Sequence, residues 1–140
     1  MLSSAVGTWK GTKKLWLQDP NAPELCDTAV VVSTNRISYT WSYQGRPQSG
    51  IIELSKRDDR VHATWTDTWH SPEAMDSEGT DRDGRIVFTG SYAAGDGADW
   101  SWRTELDLST RTGFGLKMFN IMPTGEERIA VQMELARASD

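Results

Sequence analysis

The chain has 140 residues, a length that suits one domain with a hydrophobic core of its own. Fifteen Lys and Arg residues against 20 Asp and Glu residues give a formal net charge of -5, which disfavours binding to nucleic acid or to an anionic membrane surface. Cys26 is the single cysteine, so we expect no intramolecular disulfide and no zinc site. The start of the chain lacks a basic segment followed by an apolar one, and no apolar run has membrane-spanning length. The sequence therefore predicts a cytoplasmic protein.

Turn-forming clusters of Gly, Pro, Asn, Asp and Ser divide the chain at short and fairly even intervals, which is typical of a β-meander. Between them, polar and apolar residues alternate with the period of two that strands require. Ten strands are predicted, near residues 6–17, 26–33, 36–43, 48–56, 60–69, 74–80, 85–93, 99–108, 112–122 and 126–137. The sixth has few apolar members, so it is predicted either as an edge strand or as a loop.

The alternation also assigns faces, because successive side chains on a strand point to opposite sides. Odd positions are apolar in the early strands and even positions in the later ones, and the opposite faces are mostly polar. Strands of this kind are expected to wrap around a common interior, and closure removes the exposed edges of a ten-strand sheet. The sequence predicts an all-β fold with residues 1–140 in a single antiparallel meander barrel. Two stacked sheets satisfy the same alternation and are the structural alternative.

The first and last strands carry a further pattern. The first opens with Gly7, Thr8 and Trp9, and the last places Arg137 on the same side as its apolar residues. A guanidinium at the end of an inward row needs a ring face or carbonyl oxygens as partners. We therefore expect Trp9 to close one end of the barrel beneath Arg137.

A Gly-x-Trp opening with a basic residue late in the final strand resembles the signature of calycins, the group that contains lipocalins and fatty-acid-binding proteins. The stretches Gly7-Thr8-Trp9-Lys10-Gly11, Tyr39-Thr40-Trp41-Ser42-Tyr43-Gln44-Gly45 and Asp67-Thr68-Trp69-His70 are similar to a bacterial family of uncharacterised lipocalin-like barrels. The resemblance implies a barrel with an internal cavity, without an established reaction. Segment 18–25 is too short and proline-rich for the helical lid of fatty-acid-binding proteins. The histidines do not match the late-strand histidine of haem-binding barrels of the nitrobindin type.

Large aromatic side chains recur at the inward positions, where Tyr and Trp need hydrogen-bond partners that Leu, Ile and Val do not. This favours a binding cavity, although rings that simply fill the barrel remain the alternative. Two charged residues, Lys13 and Asp67, share the inward positions. We expect them to pair with each other, to lie in a wet cavity where they can contact a ligand, or to be turned outward by a local bulge. The predicted ligand-binding residues are Lys13, Tyr39, Trp41, Tyr43, Trp65, Asp67, Trp69, Trp102 and Met118. No metal or other cofactor is expected.

The sequence thus predicts a barrel that binds a compact apolar or aromatic molecule. The alternative is an enzyme of the isomerase, cyclase or decarboxylase type that uses Asp67, His70 or Lys13 as acid or base. A third hypothesis is a partner-binding module. Its support is Trp16 and Phe119, which lie off the inward positions and equally suit a homodimer contact.

Overall fold

A computed structural model describes residues 1–17, 19–95, 97–110 and 112–138. A short 3-10 turn, Ser3–Ala5, precedes ten antiparallel strands. They are β1 (Gly7–Leu15), β2 (Glu24–Val32), β3 (Arg36–Tyr43), β4 (Arg46–Arg57), β5 (Arg60–Asp67), β6 (Ser71–Arg82), β7 (Arg85–Tyr92), β8 (Trp100–Asp107), β9 (Gly113–Ile121) and β10 (Glu127–Arg137). Each strand pairs with the next in sequence, and β10 pairs with β1 to close a barrel. The predicted meander barrel is confirmed, and the two-sheet alternative is excluded.

Tight turns set the register of several hairpins. Gln44 and Gly45 between β3 and β4 have φ values of 51° and 77°, and Asp83 and Gly84 between β6 and β7 have 54° and 80°. Two-residue turns with left-handed backbone match the twist of the strands that they join. Register fixed in this way keeps one set of side chains inside along each strand.

The described residues of the connection between β1 and β2, 16–17 and 19–23, form no helical lid. In the whole described part of the chain, no helix is long and apolar enough to cross a membrane.

The N-terminal residues close one end of the barrel, which we call the plugged end. Leu2 and Ala5 are buried there, and Trp9 is 1 % exposed. The indole Nε1–H of Trp9 donates to the carbonyl oxygen of Ala5 at 2.8 Å, and its ring lies 5.7 Å from the ring of Phe114. This half of the interior is therefore packed with side chains.

Arg137 completes the plugged end, as the sequence predicted. Its guanidinium carbon lies 4.5 Å from the centroid of the Trp9 ring. The same group donates to the carbonyl oxygens of Ser4 at 2.8 Å and Val6 at 3.0 Å. Gly7 leaves room for this contact, because a Cβ there would come within 3.0 Å of an Arg137 nitrogen. Gly7, Trp9 and Arg137 thus form a structural unit.

The sixth strand differs most from the sequence prediction. It is a full strand of 12 residues rather than the short segment 74–80. It pairs with β5 through an irregularity, since Trp65 is opposite Met75 but Asp67 is opposite Ser71. A step of two residues along β5 therefore corresponds to a step of four residues along β6. This insertion around Pro72 hides the alternation that identified the other strands.

The pairing between β6 and β7 stops next to this irregularity. The ladder runs from Arg82 and Arg85 to Glu78 and Thr89 and ends there. Beyond it, Ser71 and residues 75–77 of β6 pair only with β5, residues 72–74 have no partner, and β7 pairs only with β8. We call this unpaired stretch the β6–β7 gap. It lies toward the end opposite the plugged one, where odd-numbered strands end and even-numbered strands begin.

Candidate functional site

A cavity of about 670 Å³ lies at the β6–β7 gap, and we call it the aromatic cavity. Its wall contains Trp65 of β5, Trp102 of β8, Tyr92 of β7 and His70 of the turn after β5. The other lining residues are Ser71, Pro72, Glu73, Ala74, Met75, Asp76, Ser91 and Ala93. Its volume and mixed lining are typical of small-molecule sites in proteins.

Two stacked indoles and an imidazole form the inner wall. The rings of Trp65 and Trp102 are 5.1 Å apart with an interplanar angle of 17°, and the His70 ring lies 5.3 Å from that of Trp102. Trp102 is 7 % exposed, and its Nε1–H has no hydrogen-bond partner among the described residues. A buried donor without a partner is unusual, because it loses water without replacement. This donor is enclosed by protein atoms, next to the cavity that Trp102 lines.

A tyrosine and an aspartate meet behind this wall because a glycine separates them. Tyr39 of β3 is opposite Gly50 of β4, which is itself opposite Asp67 of β5. A Cβ on Gly50 would overlap the end of the Tyr39 ring, so the phenol crosses β4 over the bare backbone. The Tyr39 hydroxyl donates to Oδ2 of Asp67, and the indole Nε1–H of Trp65 donates to the Tyr39 oxygen at 2.9 Å. This network supports one indole of the aromatic cavity.

The Asp67 carboxylate also shapes the turn that carries His70. Its Oδ1 accepts the backbone N–H groups of Trp69 at 2.7 Å and His70 at 2.9 Å, and His70 Nδ1 lies 3.5 Å from the same oxygen. Burial raises the pKa of Asp67, but His70 and the Tyr39 hydroxyl outweigh it and hold the pKa at about 2. Burial, with the Asp67 charge, raises the pKa of Tyr39 above its usual value. Asp67 is therefore ionised and already bonded, which suits positioning better than proton transfer.

Lys13 lies in the interior beside this network. It is fully buried, its Nζ has no hydrogen-bond partner among the described residues, and Nζ lies 3.3 Å from the centroid of the Trp41 ring. Burial lowers the pKa of Lys13 to about 8, although the Asp67 charge opposes the change. Lys13 does not line the aromatic cavity. Its ammonium lies over the Trp41 ring and forms no hydrogen bond or ion pair with Asp67, so the two charges share the interior without the direct pairing that was one expectation.

The predicted ligand-binding residues occupy three places. Trp65 and Trp102 line the aromatic cavity. A buried cluster beside it holds Lys13, Tyr39, Trp41 and Asp67. Outside both places lie Met118, in the core and 1 % exposed, and Tyr43 and Trp69, which pack against each other with ring centroids 4.7 Å apart.

The prediction that Trp69 faces inward on the fifth strand is wrong. The strand ends at Asp67, whose carboxylate accepts the following N–H groups and turns the chain. Trp69 is consequently 39 % exposed and packs edge-on against Trp41 and Tyr43. An Asp that bonds the N–H two residues later is a turn signal that the apolar alternation had masked.

Sequence reasoning also missed residues that shape the site. Gly50 shares an inward row with Ile52 and Leu54, and its lack of a side chain was the available signal. Met75 enters the cavity lining through the irregularity in β6, which alternation does not reveal. Tyr92 donates its hydroxyl to Oδ1 of Asn120 at 2.5 Å, and burial raises the pKa of this phenol.

Phe119 and Trp16, the two aromatic residues predicted to face outward, have different surroundings. The ring of Phe119 is covered by the Arg103 guanidinium, whose central carbon lies 4.5 Å from the ring centroid. Arg103 is itself bonded to Glu105 and Glu127. Trp16 is half-buried in a rim groove of about 170 Å³. A homodimer contact through these residues stays a prediction.

Among the described residues, no group of three or more His, Cys, Asp or Glu side chains is placed to hold a metal ion. Comparison with models of known protein families gave no match, and comparison with curated proteins gave none. Function is therefore argued from the geometry of the aromatic cavity.

Proposed function

We propose that this protein is a lipocalin-like binding barrel that holds a compact aromatic molecule in the aromatic cavity. The observation that carries the proposal is the cavity of about 670 Å³ at the β6–β7 gap, whose lining includes Trp65, Tyr92, Trp102 and His70. Aromatic side chains around a pocket supply the contact area that a compact aromatic ligand needs.

The β6–β7 gap supports the same proposal, because it offers a route to the cavity that leaves the plugged end intact. There, residues 71–77 of β6 and residues 90–92 of β7 do not pair with each other. We further propose a bacterial cytoplasmic setting, in keeping with a free Cys26 and a net charge of -5, which disfavours binding to nucleic acid or to anionic membrane surfaces.

Nuclear magnetic resonance of the indole N–H groups tests the proposal with 2-naphthol as the probe. The seven tryptophans give one indole signal each, and single Trp to Phe variants assign them. We expect 2-naphthol to move the signals of Trp102 and Trp65 and to leave that of Trp9 unchanged, because Trp9 belongs to the plugged end. Saturation with a shift confined to the plugged end, or no shift at all, contradicts the proposal.

Trp102→Leu tests the aromatic wall in the same titration. The variant removes the ring that lines the cavity and stacks on Trp65, so affinity for 2-naphthol should fall by about tenfold. Trp16→Leu removes an indole from the rim groove, and its affinity should match that of the wild type.

His70 gives a second candidate function, catalysis by general acid or base. It lines the aromatic cavity, and its Nδ1 lies 3.5 Å from an ionised carboxylate that can orient the ring. Of the three residues considered as acid or base, His70 is the one that this geometry favours. Asp67 is already bonded, and Lys13 lies outside the cavity lining. In this function His70 transfers the proton, and Asp67 orients the His70 ring.

Proton exchange separates the enzyme from the binding barrel. Incubation of 2-tetralone in deuterium oxide reports enolisation as loss of the α-proton signals, which an isomerase-type base accelerates. If His70 acts as a base, exchange at saturating 2-tetralone is faster with the wild type than with His70→Gln, and saturation removes any difference in binding from the comparison. Equal exchange rates in the two proteins contradict catalysis by His70 and leave binding as the proposed function.

A further inference from the structure

We infer that His70 makes the aromatic cavity selective for phenols, because its Nε2 accepts the hydroxyl hydrogen of such a ligand. The inference rests on the proposed function, since it specifies the ligand class of the same site. His70 lines the cavity from the turn after β5. Its imidazole lies beside Trp102, with ring centroids 5.3 Å apart, so a hydroxyl bound there belongs to a ligand whose ring reaches the aromatic wall.

Asp67 determines which nitrogen of the neutral imidazole carries the hydrogen. Nδ1 of His70 lies 3.5 Å from Oδ1 of Asp67. Because the pKa of Asp67 is held at about 2, its carboxylate is ionised, so it attracts an N–H and repels a nitrogen lone pair. The hydrogen is therefore on Nδ1, and Nε2 carries the lone pair.

The edge of the ring that carries Nε2 is the one that a ligand can reach. The His70 side chain is 13 % exposed and Nδ1 is enclosed by protein atoms, so the exposed part lies on the opposite side of the ring. Among the described residues the imidazole has one polar contact, with Asp67, which leaves Nε2 to a ligand. The ring is also held in place, because Asp67 accepts the backbone N–H groups of Trp69 and His70 at 2.7 and 2.9 Å.

The other polar side chains of the lining are engaged elsewhere. Ser71 and Tyr92 donate their hydroxyl hydrogens within the protein, to a backbone carbonyl at 2.6 Å and to the Asn120 amide oxygen at 2.5 Å. The Asp76 carboxylate accepts a threonine hydroxyl at 3.0 Å on the exposed outer face. An imidazole nitrogen is also a better acceptor than a hydroxyl oxygen, so His70 is the group of this wall that best recognises a hydroxyl donor.

Two probes of nearly equal size test the preference in the indole N–H titration of the full chain at pH 8. They are 2-naphthol, which has a hydroxyl donor, and 2-fluoronaphthalene, which has fluorine in its place. At this pH an unperturbed imidazole is neutral and 2-naphthol keeps its hydrogen. We expect 2-naphthol to bind about tenfold more tightly, the equivalent of one hydrogen bond.

His70→Phe should bring the two affinities to within about threefold, because it removes the acceptor. The variant keeps a ring beside Trp102 and the backbone N–H that Asp67 accepts, so the turn is retained. His62→Gln is the matched control, since the other histidine of the chain lies on the exposed outer face beside Asp76 and should keep the full preference.

Nitrogen-15 spectra of the wild-type imidazoles observe the hydrogen bond itself, and His62→Gln assigns the two histidines. Saturation with 2-naphthol should move the Nε2 signal of His70, while Nδ1 keeps the shift of a protonated nitrogen and 2-fluoronaphthalene leaves Nε2 unchanged. Equal affinities for the two probes, an unmoved Nε2 signal, or a full preference in His70→Phe overturns the inference while binding itself stands. Failure of both probes to bind contradicts the proposed function and the inference together.

Discussion

Replacing Gly50 with alanine is expected to destabilise the folded protein by about 4 kcal/mol, from overpacking together with loss of buried hydrogen bonds. The new methyl group would overlap the ring end and hydroxyl of Tyr39, which crosses β4 at this point. Tyr39 cannot move outward, because it is 1 % exposed and packed inside the barrel. Its hydroxyl would leave both Asp67 and the Trp65 indole, so a buried carboxylate and a buried N–H would each lose a partner.

Urea unfolding measures the loss, and two further variants separate overlap from a general effect of alanine. Gly115→Ala is the matched control in β9, since its Cβ would lie at an ordinary 3.6 Å from Asp107 and should change stability by less than about 1 kcal/mol. Tyr39→Phe removes the hydroxyl alone. Because both changes break the same hydrogen bonds, the double variant should lose clearly less than the sum of the single losses. Additive losses would show that Gly50 does not act through Tyr39.

The barrel was predictable because its evidence is local. Alternation with a period of two and short turns with left-handed residues, such as Gln44 and Gly45, recur along the chain. The same logic placed Trp9 beneath Arg137 at the plugged end. It failed in β6, where Pro72 and the irregular pairing disturb the period, and at Trp69, where a side chain to backbone bond ends β5.

The site was predictable only in part, because its decisive features are contacts between strands. Parity identified Trp65 and Trp102 as inward, and both line the aromatic cavity. It also placed Tyr39 and Asp67 inside, but not the register that sets Gly50 between them. The β6–β7 gap depends on where a ladder ends, which no single strand encodes. The two tryptophans of the wall could thus be read from the sequence, while Met75, Tyr92 and the position of the gap could not.

Lys13 makes the stability of the protein depend on pH in an unusual direction. Burial lowers its pKa from 10.5 in the unfolded chain to about 8 in the folded barrel. Below pH 8 both states hold the proton, and folding must then bury an ammonium that has no hydrogen-bond partner among the described residues. Between pH 8 and 10.5 the unfolded chain binds more protons than the folded one, so stability rises with pH. Above pH 10 the raised pKa of Tyr39 acts in the opposite direction, because only the unfolded phenol ionises.

Lys13→Met should therefore stabilise the protein by up to about 3 kcal/mol at pH 7, the equivalent of the pKa difference, with the gain shrinking toward zero near pH 10. Methionine keeps the chain length and fills the space beside the Trp41 ring without a charge. Urea unfolding of both proteins at pH 7, 8.5 and 10 measures the difference, which cancels the contribution of titrating groups that do not interact with Lys13. Lys14→Met, the neighbouring residue with the opposite facing, is the control and should differ little from the wild type at each pH. A gain that stays constant from pH 7 to 10, or a loss at pH 7, would mean that the folded barrel favours the charged lysine.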